Sequence, residues 1–112
     1  MAILSADYSN LNYEDMAKAI GLKPKHMPML VASFIEESEP TLKVLASSIE
    51  AKDYVSIASL SHSIKGSAGN LRLSEVYEMT KEMEKSAKSN AQDFDYAGHL
   101  EAVKTILETV QV

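Results

Sequence analysis

The chain has 112 residues and a formal charge of −5 at pH 7, with 46% hydrophobic and 24% charged residues, which suits one folded domain with a hydrophobic core and argues against a disordered chain. The acidic balance argues against nucleic-acid backbones and anionic membrane surfaces as partners. Cysteine is absent, which excludes disulfides, thiol catalysis and thiolate metal sites; no apolar run reaches membrane-span length, the start MAILSADYSN lacks the features of a secretory signal, and a cytoplasmic protein is expected.

Helical periodicity runs through almost the whole chain, and no stretch alternates long enough for a strand. Residues 1–11 are expected to be loosely ordered. A short helix is predicted over residues 13–20, capped by Asn12, with Glu14 and Asp15 favourable in its first turn and Gly21 ending it. Pro24 or Pro28 can open the next helix. From there Met27, Leu30, Val31, Phe34, Ile35, Ser38, Leu42, Leu45, Ala46 and Ile49 form one apolar stripe. The stripe keeps its phase across Pro40, so one long helix bent near Pro40 is preferred to two.

Asp53 is a plausible cap for a third helix running to about Asn70, and Ser74 for a fourth with the stripe Val76, Tyr77, Thr80, Met83 and Ala87. A fifth begins near Asp93 and carries Phe94, Leu100, Val103, Ile106, Leu107 and Val110. Short connections make consecutive long helices antiparallel. The expected fold is all-α: a single domain over residues 1–112, an up-down four-helix bundle with a short extra N-terminal helix.

The third helix contains SLSHSIKGSAGNL, residues 59–71, with two of the chain's four glycines one turn apart. A glycine inside a helix costs about 1 kcal/mol relative to alanine. On a helical wheel Ile57, Leu60, Ile64, Ala68 and Leu71 make the core stripe, while Val55, Ala58, Ser59, His62, Gly66 and Gly69 fall nearly opposite. Lys65 lies one turn beyond His62. Phosphoryl transfer asks for a nucleophile, a positive charge for the phosphoryl oxygens and room for an in-line donor. Imidazole is nucleophilic near neutral pH, Lys65 supplies the charge, and the small residues supply the room. The same small face could instead be a groove for helix packing, with His62 incidental. On chemistry alone the two readings stand level.

The run LSHSIKGSAGNL resembles the signature of histidine-containing phosphotransfer (HPt) domains of two-component phosphorelays. His62, Lys65, Gly66 and Gly69 match that pattern, as do Leu60, Ser67, Ala68, Asn70 and Leu71. LVASFIEESEPTLKVLASSI, with Phe34 and Pro40, is similar to the family's long second helix; KDYVSIASLSHSIKG is similar to its entry into the histidine helix. EMEKSAK is similar to its next helix, with Met83 and Glu84 in the leucine–glutamate places. Many members carry glycine ten positions after the histidine, where this chain has Arg72, which puts the local turn in doubt more than the chemistry.

The resemblance implies that His62 is the phosphoacceptor, taking a phosphoryl group from a receiver-domain aspartyl phosphate and passing it to another receiver. Lys65 would neutralise phosphoryl charge. Val55, Ala58, Ser59, Gly66 and Gly69 would form the receiver-docking face. Response-regulator receivers, or a hybrid sensor histidine kinase, are the implied partners of a monomer that has no ATP site and is no enzyme. No cofactor is implied, and Mg²⁺ would sit on the partner receiver. Two alternatives keep the fold: a docking bundle without phosphotransfer, and the phosphoacceptor module of a larger histidine kinase. A metal-binding bundle is disfavoured, because no histidine here follows a glutamate three residues earlier.

Overall fold

The computed structural model describes residues 3–110. Its α-helices are α1 (Tyr13–Ile20), α2 (Met27–Glu50), α3 (Tyr54–Asn70), α4 (Ser74–Lys88) and α5 (Tyr96–Glu108), with a 3₁₀ turn at Pro24–His26 before α2. No strand occurs among the described residues. α2 packs on α3, α3 on α4, α4 on α5, and α5 closes the ring against α2. Gly69 meets Tyr77 and His62 meets Glu84. Both pairs are centred on Leu73, which is the register of an antiparallel hairpin. The bundle is all-α, as its periodicity predicts.

Local sequence explains most helix starts. The side chains of Asn12, Asp53 and Asp95 each accept a hydrogen bond from a backbone N–H in the turn they cap. α2 runs unbroken through Pro40 for 24 residues. Pro40 removes one backbone donor, yet Phe34, Ser38, Leu42 and Leu45 on either side of it are all buried. Burial of one continuous stripe outweighs the missing bond. Ser74 is the first residue of α4 rather than its cap; Leu73 holds the cap position, where its hydrocarbon side chain can make no capping bond and is buried in the core instead.

The helix ends share a device that only α1 advertises. Gly21, Lys52, Arg72 and Asn90 all have positive φ. After α3, the Arg72 N–H donates to the Gly69 carbonyl and the Leu73 N–H to the Ala68 carbonyl, the paired bonds of a Schellman end. Lys52 with Asp53, and Asn90 with Ala91, repeat the pattern after α2 and α4. This accounts for Arg72: at φ 62° its backbone occupies the left-handed region that glycine enters freely. Arg72→Gly is therefore expected to stabilise the fold by about 0.5–1 kcal/mol, and Arg72→Val to destabilise it, as chemical denaturation would read.

Residues 3–11, expected to be loosely ordered, form no helix, but Tyr8 among them is buried. Its N–H donates to Thr109 Oγ1 at 2.7 Å and its hydroxyl to Glu75 Oε1 at 2.8 Å. Burial, then the Glu75 carboxylate, push its phenol well above the usual range. His99 is buried. It shares the inner side of α5 with Leu100, Val103 and Ile106, its ring packs on Phe94, and its Nδ1–H donates to the Asp95 carbonyl at 2.7 Å.

Candidate functional site

α3 is a ridge exposed along Ser59, His62, Ser63, Gly66 and Ser67, with its other sides covered by α2 and α4. The His62 side chain stays 65% exposed although its ring is held. What holds it is Glu84, on the side of α4 that faces α3: Glu84 Oε2 lies 3.0 Å from His62 Nδ1. The same carboxylate takes Lys65 Nζ at 2.7 Å on Oε1 and Lys88 Nζ at 3.0 Å on Oε2. Glu84 is only 7% exposed. A buried carboxylate is retained in ionised form only when it is well paired, and here three donors converge on two oxygens.

Burial by itself would raise the Glu84 pKa. The hydrogen bonds from Lys65, Lys88 and His62 outweigh it and hold the carboxyl below its usual 4.5, at about 2. An ionised carboxylate can only accept, so Nδ1 must be the protonated nitrogen of a neutral His62 ring. The lone pair then belongs to Nε2, which has no hydrogen-bond partner among the described residues. The folded-state value lies below the unfolded one. The carboxylate therefore contributes stability that is complete above pH 4.5 and is lost as pH falls toward 2. The denaturation midpoint should drop across that window, and Glu84→Gln should flatten the drop.

The predicted docking residues separate into two groups. Val55 is 81% exposed, and Ser59 and Gly66 are exposed as well. A Cβ added at Gly66 would meet nothing within 4 Å. Ala58, expected on the open face, is buried instead, and lines the α3–α4 groove opposite Ala87. Gly69 is half-buried: a Cβ there would come within 3.0 Å of the Tyr77 ring. Ala58 and Gly69 are small because α4 approaches α3 closely at those points. The packing-groove explanation holds for them, while Val55, Ser59 and Gly66 remain open to a partner. Lys65 is half-buried and turned toward Glu84, one turn along the ridge from His62.

Glu84 and Lys88 were not singled out as functional residues by sequence reasoning. A signal was present: Glu84 sits beside Met83 and one turn before Ala87 on the apolar phase of α4, where an unpaired carboxylate would be costly. Lys88, four residues on, was the visible half of its pairing.

Among the described residues no group of three His, Cys, Asp or Glu side chains could hold a metal ion, and no helix is long and apolar enough to cross a membrane. The Hpt domain model matches residues 29–112, which leaves α1 and the segment before it outside the match. No match is found among the curated proteins or among the solved structures. Hpt domains take part in histidine phosphotransfer in two-component signalling and interact with receiver domains. With three quarters of its length matched and an exposed, carboxylate-held histidine on its central helix, this chain belongs to the Hpt domain family.

Proposed function

We propose that this protein is a phosphorelay intermediate: His62 accepts a phosphoryl group from the aspartyl phosphate of one receiver domain and passes it to the aspartate of another. The observation that carries the reading is the 3.0 Å contact between His62 Nδ1 and a buried, ionised Glu84 on a histidine otherwise open to solvent. It puts the proton on Nδ1 and the lone pair on Nε2 before any partner arrives.

Transfer then balances without moving a proton. The Nε2 lone pair attacks phosphorus, the N–P bond forms as the P–O bond to aspartate breaks, and the carboxylate leaves with that electron pair. The ring gains positive charge, which Glu84 offsets through the Nδ1–H it already accepts. Lys65 and Lys88 place two ammonium groups beside the ring to meet the phosphoryl oxygens. The second receiver reverses the step. Val55, Ser59 and Gly66 supply the open surface over which a receiver closes. The protein is a carrier restored by each second transfer and hydrolyses nothing.

Incubation with a phosphorylated receiver and Mg²⁺, followed by intact-mass analysis at neutral to alkaline pH, tests this. The wild type should gain one phosphoryl group, His62→Gln none, and neither should gain one from ATP alone. A label persisting in His62→Gln would overturn the assignment.

A further inference from the structure

The ridge around His62 carries opposite charge on its two sides, which phosphoacceptor chemistry does not require. On the α4 side stand Lys65, Lys81 and Lys88. Lys81 is exposed and lies over the Tyr77 ring with Nζ 5.9 Å from its centroid, and Lys88 is exposed beside His62. The carboxylate among them, Glu84, is buried and already bonded. Arg72 and Glu78 line the far end of this groove and offset one another. On the α2 side Glu37 is exposed and, with Thr41 of α2, lines a hollow against Ser63 and Ser67 of the ridge. The nearest lysine of α2, Lys43, turns away toward α5, where it lines a groove with Lys104.

A lysine edge is a local reversal in a chain with 16 acidic residues against 11 lysines and arginines. Lys81 makes the case clearest, since it bonds neither Glu84 nor His62. We propose that this polarity orients and selects the receiver: the lysine edge meets the acidic rim of the receiver's phosphorylation pocket, and Glu37 meets a basic patch on the opposite rim. This rests on the phosphorelay reading above. Charge of one sign would draw an acidic rim in any rotation about His62. Charge of two signs favours one pose and penalises receivers whose pocket lacks the complementary basic side.

The test uses Glu37→Lys and Lys81→Glu, with Glu37→Gln and Lys81→Gln as milder variants of the same exposed positions. A panel of purified receivers is phosphorylated with acetyl phosphate and Mg²⁺, and the receiver that labels the wild type fastest becomes the probe. Each reversal is expected to lower its transfer kcat/KM about tenfold, mainly through KM, and to flatten the salt dependence. Labelling of His62 by phosphoramidate should be unchanged. Receiver transfer within about twofold of wild type for every variant, at low and at physiological salt, would overturn the inference and leave the relay standing. A wild type labelled by phosphoramidate but by no receiver would overturn the relay reading, and the inference with it.

Discussion

Replacing Glu84 by alanine is expected to slow phosphoryl acceptance at His62 by about 10- to 100-fold and to destabilise the bundle by about 1–3 kcal/mol. The two effects arise from different bonds. For stability, the substitution leaves Lys65, half-buried, without its 2.7 Å partner and opens space between α3 and α4. Stranding a charge whose partner is deeply buried costs about 3–5 kcal/mol, but Lys88 is exposed and swings into water, which lowers the total here. For chemistry, nothing then selects the Nδ1–H tautomer, and the ring is free to turn. Glu84→Gln separates the two. Its amide oxygen still accepts from Nδ1, but it cannot neutralise two ammonium groups, so stability should fall more than tautomer order. Denaturation, imidazole ¹⁵N shifts and the rate of phosphoramidate labelling read these quantities independently. An unchanged tautomer and rate in Glu84→Ala would refute the role assigned to the carboxylate.

Gly66 and Gly69 should respond oppositely to the same substitution. Gly66→Ala is expected to stabilise the protein by about 0.5–1 kcal/mol, because it adds helix propensity in open space. Gly69→Ala should lose that gain, because its Cβ lies 3.0 Å from Tyr77 Cδ1 and forces the half-buried ring to shift. Function should invert the ranking. Gly66→Gln places a long side chain one turn from His62 on the face a receiver must cover. A displacement of about 1 Å from productive geometry can lower transfer by about 100-fold, so receiver-dependent labelling should drop steeply while phosphoramidate labelling persists. Gly69→Ala, buried toward α4, should transfer nearly normally once folded. Thermal melts beside transfer rates check all three variants. Equal transfer by Gly66→Gln and wild type would mean that the ridge is not the surface a receiver covers.

These glycines show where a helical wheel stops informing. It marked a face of small residues on α3, and His62 and Gly66 lie open on it. It could not tell that α4 lies against Ala58 and Gly69, since a wheel describes one helix and not its neighbour. The pairing of Glu84 with His62 is not legible for the same reason: the two are 22 residues apart and meet only after α3 and α4 fold back on each other. The helix starts at Asn12 and Asp53 are legible, because a cap bonds within its own turn, whereas α5 starts at Tyr96 behind the Asp95 cap, later than the expected start near Asp93, and leaves Phe94 outside it. The ends at Lys52 and Arg72 were harder to read. There paired Schellman bonds hold an exposed non-glycine residue in the left-handed region that local preference would give to glycine. The long α2 was legible through Pro40 because its buried stripe carries more weight than one lost hydrogen bond.

The central claim is that His62 presents Nε2 because Glu84 has taken Nδ1. The most direct test is to load ¹⁵N-labelled protein from a phosphorylated receiver and locate the phosphoryl group by ³¹P–¹⁵N correlation at alkaline pH. The account predicts a single phosphoryl group, bonded to Nε2 of His62. A phosphoryl group on Nδ1, or on any other residue, would contradict it.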